Sequence, residues 1–228
     1  MRIRKPNRTR IVVAALGARI ASGEFAPGAL LPSETVLEQE YEVSRTVIRE
    51  ATKILSAKGL VTVRQRHGTH VNPREQWMWM DGELISWLAN GKAAKSDLLA
   101  FAEARQIIEP GAAALAALRA TQKQRMEIVA AYERMKTGHA SPQEAILADK
   151  QFHLAILDAT HNPVLQSLRQ TIESILDAIF PHTVGTFTHN LDNHGEVADA
   201  IARGDPEAAR ANMEKVLQHT TGFLQSVG

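Results

Sequence analysis

Three segments in the first third of the chain repeat apolar residues at intervals of three or four positions. They are residues 8–22, 31–41 and 43–60, and the stripe of the third consists of Val47, Ile48, Ala51, Ile54 and Leu55. Such spacing places the apolar side chains on one face, so each segment predicts an amphipathic helix. Ser33 and Ser44 are the predicted N-caps of the second and third helices, because a serine side chain accepts a hydrogen bond from a free backbone N–H.

The pattern changes to alternation in residues 60–71, LVTVRQRHGTHV. Alternating apolar and polar residues predict a two-stranded ribbon, and the basic stretch RQRHG lies at its turn. Gly68 permits a sharp backbone turn at that tip. Residues 73–82 follow as a predicted linker, because they begin with a proline and end with Asp-Gly. Trp77 and Trp79 in this linker are predicted to pack against a second domain.

The rest of the chain has helical patterns and no strand pattern. Pro110 lies inside one of these patterns and predicts a kink or a break there. The segments are residues 83–90, 96–119, 121–137, 142–160, 163–180, 191–203 and 206–225. The predicted fold class is therefore mainly α. We expect an N-terminal winged helix-turn-helix in residues 1–72 and an all-helical bundle that binds a ligand in residues 83–228.

The composition of the chain limits the classes of protein to which it can belong. The chain has 228 residues and no cysteine, which excludes disulfides and thiol catalysis. No apolar run reaches the roughly 18 residues of a membrane span and no signal peptide is apparent, so we expect a cytoplasmic protein without a membrane partner. Residues 1–75 hold 13 Lys/Arg against 7 Asp/Glu, whereas residues 76–228 hold 13 against 18. A basic first third on an acidic remainder indicates that one end binds a polyanion.

The second and third helices have the arrangement of a helix-turn-helix that binds DNA. The N-terminal end of the third helix would enter the major groove, where an arginine can bind guanine bidentately. The ribbon tip would lie along the backbone or minor groove, and Arg2, Arg4, Lys5, Arg8 and Arg10 would add attraction to phosphate. The predicted DNA contacts are Ser33, Ser44, Arg45, Thr46, Arg49, Arg64, Gln65, Arg66, His67, Gly68 and Thr69. The alternative is an amphipathic surface helix that carries two arginines.

A second set of polar residues lies on apolar helix faces. Asp149 and His153 are four residues apart among Ile146, Phe152, Ile156 and Leu157, and His194 and Arg105 have similar apolar neighbours. Burying a carboxylate is costly unless it is paired or binds a metal. Asp149, His153 and His194 would suit Zn, Ni or Mn, and the planar fork of Arg105 would suit a carboxylate ligand. The alternative is a structural network in which Asp149 pairs with His153 or Arg105 and nothing else binds.

The run LPSETVLEQEYEVSRTVIREATKILSAKGLVTVRQRHGTHV resembles the winged helix-turn-helix of the GntR family of bacterial transcription regulators, over about residues 8–72. The resemblance implies a protein that binds operator DNA. The family usually has an arginine after the Ser-Glu of "LPSE", where this chain has Thr35. That arginine commonly helps to read the operator, so the resemblance implies reduced or altered base specificity here.

Residues 83–225 resemble the FCD ligand domain of the FadR subgroup, in the stretches EARQIIEPGAAALAA, DKQFHLAIL, HNPVLQ and HGEVADAIARGDPEAARANM. The resemblance implies that Asp149, His153 and His194 hold a divalent metal and that Arg105 meets the carboxylate of an effector. The subgroup's fourth ligand is replaced by Val216, and His219 lies one turn further on. Water or the effector's own oxygens would then complete the site.

HNPVLQ and QWMWMDGELISWL resemble the galactonate-operon repressors of this subgroup. This resemblance implies a sugar acid such as an aldonate as effector, with Ser174 as a candidate for binding its hydroxyls. The leading hypothesis is thus a homodimeric repressor on a pseudopalindromic operator. One alternative is a metal hydrolase or lyase that uses Asp149, His153 and His194. Another keeps DNA binding but makes the helical domain a metal sensor or a purely structural dimeriser.

Overall fold

The computed structural model describes residues 7–90, 93–137, 142–183 and 190–226, which contain eleven α-helices and one two-stranded sheet. Contacts divide the chain into two compact units, Met1–Ala93 and Ala94–Gly228. The expected mainly α fold, a winged helix-turn-helix followed by a helical domain, is confirmed. No helix in the described ranges is long and apolar enough to cross a membrane.

The first unit has the element order of a winged helix-turn-helix. Leu16, Ile20, Ile48 and Leu55 are fully buried where the first and third helices pack together. The two strands pair antiparallel from Val61 with Val71 to the turn, and Leu30 forms a bridge with His70 at the outer edge. The elements are α1 (Arg8–Ala21), α2 (Glu34–Glu40), α3 (Arg45–Ala57), β1 (Val61–Arg64), β2 (Gly68–Val71), a 3-10 turn (Arg74–Gln76) and α4 (Gly82–Asn90).

The predicted linker and the helix after it are packed within the first unit. Met78 N–H donates to the carbonyl of Lys58 (3.0 Å), and the Lys58 ammonium lies 2.6 Å from a carboxylate oxygen of Asp81. Helix α4 packs on α1, with Trp87 buried over Gly17. The observed division therefore falls between residues 93 and 94, whereas the sequence placed the second domain's start at residue 83. The sequence shows that α4 has an apolar face, but it does not show which unit covers that face. The contacts of α4 with α1 place it in the first unit.

Trp77 and Trp79 also pack within the first unit, whereas they were predicted to pack against a second domain. Their rings stack with centroids 6.1 Å apart, and Arg74 lies over both. The two indole N–H groups donate to the backbone carbonyls of Asn72 and Arg74. These contacts tie the chain that follows the wing back onto itself.

The second unit is a helical bundle in which α5 packs against α11, with α10, α6 and α7 completing the core. Two details differ from the sequence prediction. Helix α5 continues through Pro110, and the segment 163–180 is two helices that are separated at Leu168. The helices are α5 (Lys95–Arg119), α6 (Gln122–Thr137), α7 (Pro142–Asp158), α8 (Pro163–Ser167), α9 (Arg169–Thr183), α10 (Leu191–Arg203) and α11 (Pro206–Ser226).

Substituting Gly17 tests the packing of α4 on α1. A side chain at residue 17 would overlap the Trp87 ring, whereas one at Gly222 of α11 would meet nothing within 4 Å. We expect Gly17→Val to lower the free energy of unfolding by about 2 kcal/mol or more, the scale of overpacking a core. Gly222→Val should change it little. Urea unfolding followed by tryptophan fluorescence reports on this unit, since Trp77, Trp79 and Trp87 all lie in it. Equal stability of the two variants would contradict the packing.

Candidate DNA-reading surface and buried polar cluster

The N-terminal end of α3 presents its polar side chains to solvent. Ser44 is the N-cap of α3, and Arg45, Thr46 and Arg49 are exposed on its first turns. Ser33 is the N-cap of α2, where its hydroxyl accepts from the Val36 N–H at 3.4 Å. The buried face of α3 carries Ile48, Ala51 and Leu55, so the periodicity that predicted the helix also fixes which side chains face outward.

Both arginines of this turn are held by one carboxylate, that of Glu34 at the start of α2. Arg45 Nε lies 2.6 Å from Glu34 Oε2, and Arg49 Nε lies 3.4 Å from Glu34 Oε1. The hydrogen bond to Glu34 raises the pKa of the fully exposed Arg45. Sequence reasoning missed Glu34, since only the angle between α2 and α3 brings it to the arginines. Thr35, which replaces the family's arginine, is exposed on the same helix.

The wing tip is basic and exposed. Arg64 ends β1 opposite Gly68, and the backbone turns between them with positive φ at Arg66 (65°) and Gly68 (83°). The side chains of Gln65 and His67 are exposed beside these two arginines, and Thr69 is half-buried on β2. Arg8 and Arg10 are exposed on α1, whereas Arg2, Arg4 and Lys5 lie outside the described residues.

In the second unit, three helices bring four predicted site residues together. Asp149 and His153 come from α7, His194 from α10 and Arg105 from α5, and each is at most 4% exposed. One ligand atom from each of Asp149, His153 and His194 lies within 4.8 Å of the others. His194 Nε2 is 3.0 Å from Asp149 Oδ1, His153 Nε2 is 3.7 Å from Asp149 Oδ2, and Arg105 Nη2 is 3.3 Å from His153 Nε2.

The outer nitrogens of both histidines face buried acceptors. His194 Nδ1 lies 2.8 Å from the Asn190 carbonyl, which can only accept, so this nitrogen carries a proton. Arg105 Nη2 lies 3.3 Å from His153 Nε2, and His153 Nδ1 lies 2.5 Å from Glu109 Oε2. A metal cation at the cluster would take the place of Arg105 beside His153 Nε2 and would also bind Nε2 of His194, and acceptors behind metal-bound histidines are the usual way of orienting them.

The inner nitrogen of His194 has close neighbours but no hydrogen bond. His194 Nε2 lies near Asp149 Oδ1, yet the contact lacks the alignment of a hydrogen bond, and no other described residue satisfies the nitrogen. A nitrogen lone pair that faces a carboxylate is unfavourable unless a proton or a metal cation lies between them. One carboxylate oxygen and two imidazole nitrogens suit Zn, Ni or Mn, so the residues present fit a divalent metal.

Glu109 and Asn190 are site residues that sequence reasoning missed. The Glu109 carboxylate accepts from Arg105 Nε at 2.5 Å, on the buried face of α5. Burial acts to raise the pKa of Glu109, but the charges of Arg105 and His153 outweigh it and hold that pKa well below its ordinary value. The i, i+4 spacing of Arg105 and Glu109 was a signal that could have found the pair. Nothing in the sequence marks Asn190, which acts through its backbone carbonyl.

Asp149 is also ionised. Burial acts to raise its pKa, but His153 and His194 lower it below the ordinary value. Ser174 is buried in α9, and no hydrogen bond in the described ranges joins it to the cluster. Val216, at the position of the missing fourth ligand, is buried in the core, and its carbonyl accepts from Asn190 Nδ2 at 2.9 Å. His219 is half-buried and lies outside the three-residue group.

Comparison with known proteins defines the family to which the chain belongs. Residues 8–71 match the family described as "Bacterial regulatory proteins, gntR family", and residues 100–219 match the FCD domain. The chain belongs to the GntR family of transcriptional regulators, in its FadR-like group with an FCD domain.

The similarity to known relatives covers nearly the whole chain. The galactonate operon transcriptional repressor of Escherichia coli K12 is 32% identical over 97% of this chain and 98% of its own length. The Exu regulon transcriptional regulator of the same strain is 30% identical over 98% of this chain and 87% of its own. The solved structure of Lar from Listeria monocytogenes shares the fold alone, with a TM-score of 0.68 at 18% identity and full coverage of both chains.

The Arg105–Glu109 pair should be a large contributor to the stability of the second unit. Its side chains are 3% and 5% exposed. We expect Glu109→Ala to lower the free energy of unfolding by about 3–5 kcal/mol, because it leaves a buried guanidinium unpaired, whereas Arg105→Met with Glu109→Leu should recover much of that loss. Urea unfolding followed by helical circular dichroism, in the presence of a chelator, measures the effect apart from any metal.

The exposed i, i+4 pair of Lys123 and Glu127 provides the matched control, with side chains 83% and 55% exposed. Glu127→Ala should cost no more than about 0.5 kcal/mol. If the two glutamate substitutions lowered the free energy of unfolding by similar amounts, the buried pair would contribute no more to stability than the exposed pair.

Proposed function

We propose that this regulator is a repressor whose affinity for its operator is controlled by a small carboxylate, a sugar acid such as an aldonate, bound in the FCD domain. The observation that carries the proposal is the convergence of Asp149, His153 and His194 beside Arg105, within the effector domain of a chain that also has a DNA-reading helix. A divalent metal at the three ligands would supply positive charge for an oxygen of the acid.

The chain's own residues are suited to hold that metal. His153 and His194 lower the pKa of Asp149, and the outer nitrogen of each histidine faces an acceptor, Glu109 or the Asn190 carbonyl. With Val216 contributing no ligand, the protein would fill three positions and leave the others to water or to the effector. Sites with open positions are the ones that bind exchangeable ligands.

Arg105 is the residue that we assign to the effector's carboxylate. The Glu109 carboxylate accepts from Nε of Arg105 at 2.5 Å and from its Nη2 at 3.4 Å, and Nη2 also lies 3.3 Å from His153 Nε2. A carboxylate at the cluster would find the Nη2 donor already oriented by the two bonds to Glu109, and it would replace His153 as the second partner of Nη2. The names of two relatives, regulators of a galactonate operon and of the Exu regulon, support a sugar acid. Ser174 is the candidate for binding a hydroxyl group.

Repression would follow from two copies that bind a pseudopalindromic operator, each with one α3 in a major groove. The effector would favour a geometry of the homodimer in which the two recognition helices no longer match the half-sites. It could shift that equilibrium only by its difference in affinity for the two geometries.

DNA recognition is tested at the start of α3. We expect Arg45→Ala and Arg49→Ala each to weaken binding to the operator about 10- to 100-fold, the scale of losing a bidentate base contact. Lys123→Ala on α6, which also removes an exposed cation paired with a glutamate, is the matched control and should leave binding unchanged. Fluorescence anisotropy compares a duplex that the wild type selects from a random pool with a scrambled duplex. An equal loss on both duplexes would mean that the arginines bind only phosphate.

The effector site is tested by thermal melting against aldonic, uronic and dicarboxylic acids, with and without Zn, Ni or Mn. One sugar acid at 100 times its Kd should stabilise the protein by about 2.7 kcal/mol, and only with metal present. Arg105→Lys should remove this shift because it keeps the charge opposite Glu109 but loses the planar fork. Arg169→Lys, at an exposed pair with Asp158, is the control.

Three outcomes would revise the proposal. A metal that changes operator affinity with no organic acid present would make the protein a metal sensor. Stabilisation by an acid that persists in chelator would remove the metal from the site. No response to metal or acid would leave the cluster as a structural network held by its internal pairs.

A further inference from the structure

One carboxylate lies between the two arginines of the DNA-reading helix. Glu34 is the first residue of α2, and its two oxygens lie 2.6 Å from Arg45 Nε and 3.4 Å from Arg49 Nε. The Glu34 side chain is 37% exposed, while those of Arg45 and Arg49 are 68% and 65% exposed. A carboxylate on a surface that binds a polyanion weakens binding by its charge, so this position needs an explanation beyond attraction to DNA.

Glu34 occupies only one edge of each guanidinium. Both contacts are made by Nε, and an arginine has four further N–H donors on its two terminal nitrogens. Among the described residues, no other side chain or carbonyl pairs with Arg45 or Arg49. Guanine offers O6 and N7 to two N–H groups of an arginine. Glu34 therefore leaves each arginine with the terminal pair of donors that a guanine can accept end-on.

The fold fixes the position of this carboxylate. Glu34 directly follows Ser33, the N-cap of α2, and Leu37 one turn later is buried where α2 packs on α3. The N-terminal end of a helix also favours a negative charge. The two arginines are thus held by a group whose backbone belongs to the packed helix pair and not to a loop.

An exposed arginine at a DNA surface has two kinds of acceptor available. Half to two-thirds of protein–DNA hydrogen bonds go to phosphate and sugar, and these carry no sequence information. An arginine that turned to a phosphate would leave Glu34, whose charge would then face the DNA backbone without its counterion. An arginine that bound guanine end-on would keep its bond to Glu34. The carboxylate therefore disfavours phosphate contacts more than guanine contacts.

We propose that Glu34 is a positioning residue that sets the sequence specificity of this regulator, by holding Arg45 and Arg49 for guanine and away from phosphate. This inference rests on the DNA reading in the proposed function and assigns a further residue to it. Thr35, exposed on the same helix, brings no charge to the surface, so the discrimination between bases depends on the two held arginines.

The first test measures specificity and not affinity alone. Fluorescence anisotropy gives the Kd for a duplex that the wild type selects from a random pool and for a scrambled duplex, over a series of salt concentrations. We expect Glu34→Gln to weaken binding to the selected duplex, to tighten binding to the scrambled one, and to lower the ratio of the two about 10-fold or more. The slope of log K against log salt on the scrambled duplex should steepen by about 2, because two more phosphates are bound.

Two further variants separate position from charge. Glu34→Asp keeps the charge but is one methylene too short to reach both arginines, so it should also lower the specificity ratio. Glu38→Gln removes the same charge from the same helix, one turn further on, where the glutamate acts on Arg45 through its charge alone. It should tighten binding to both duplexes by the same factor and leave the ratio unchanged. Urea unfolding followed by tryptophan fluorescence verifies that the variants fold.

A double-variant comparison tests whether Glu34 acts through the arginines. In a chain that already carries Arg45→Ala and Arg49→Ala, Glu34→Gln should leave the specificity ratio unchanged. Duplexes with single base changes should show that Glu34→Gln loses discrimination at the same guanines as the two arginine variants. A further fall of the ratio in the arginine-free chain, or a loss at other bases, would overturn the positioning role.

The remaining outcomes distinguish this inference from the proposed function. A wild type that discriminates between the duplexes, together with a Glu34→Gln variant that discriminates equally well, overturns the role of Glu34 and leaves the regulator as proposed. A Glu34→Asp variant with the wild-type ratio would reduce the role of Glu34 to its charge and would also overturn it. A wild type that binds both duplexes equally defeats the proposed DNA reading and this inference together.

Discussion

The second unit depends on compensating two buried carboxylates. Glu109 and Asp149 are 4% exposed, and an ionised carboxyl in such surroundings is unfavourable by several kcal/mol unless cations face it. Arg105 and the two histidines provide that compensation from α5, α7 and α10. The cluster therefore fixes how these helices sit against each other, because shifting any one of them would leave a buried charge unpaired.

The same constraint explains how a ligand could act on such a domain. A network of buried charges has few satisfied arrangements, so a molecule that replaces one partner forces the others to rearrange together. In the proposed site, an acid that takes the Arg105 donor from His153 changes contacts on two helices at once. The α5 helix carries both this arginine and Glu109 on its buried side.

The sequence predicted most helices and strands and the buried face of each helix, because the periodicity of apolar residues indicates which side of a helix is buried. It predicted the winged helix-turn-helix, and it placed Asp149 and His153 on one inward face. It did not predict the contact of Glu34 with the two arginines, because that contact depends on the angle between α2 and α3. It also missed Glu109, although the i, i+4 spacing from Arg105 was a signal for that pair. The sequence also could not predict which unit contains α4, because an apolar helix face does not specify which unit covers it.

Val216 shows why the loss of a ligand need not disconnect α11 from the site. Its side chain is buried in the core, yet its carbonyl accepts from the amide of Asn190, whose own carbonyl accepts from His194 Nδ1. Helix α11 therefore still orients a proposed ligand, through backbone and amide. In the proposed function, this arrangement keeps His194 in place while leaving a coordination position for the effector. A fourth side-chain ligand would fill that position and weaken the dependence of binding on the acid.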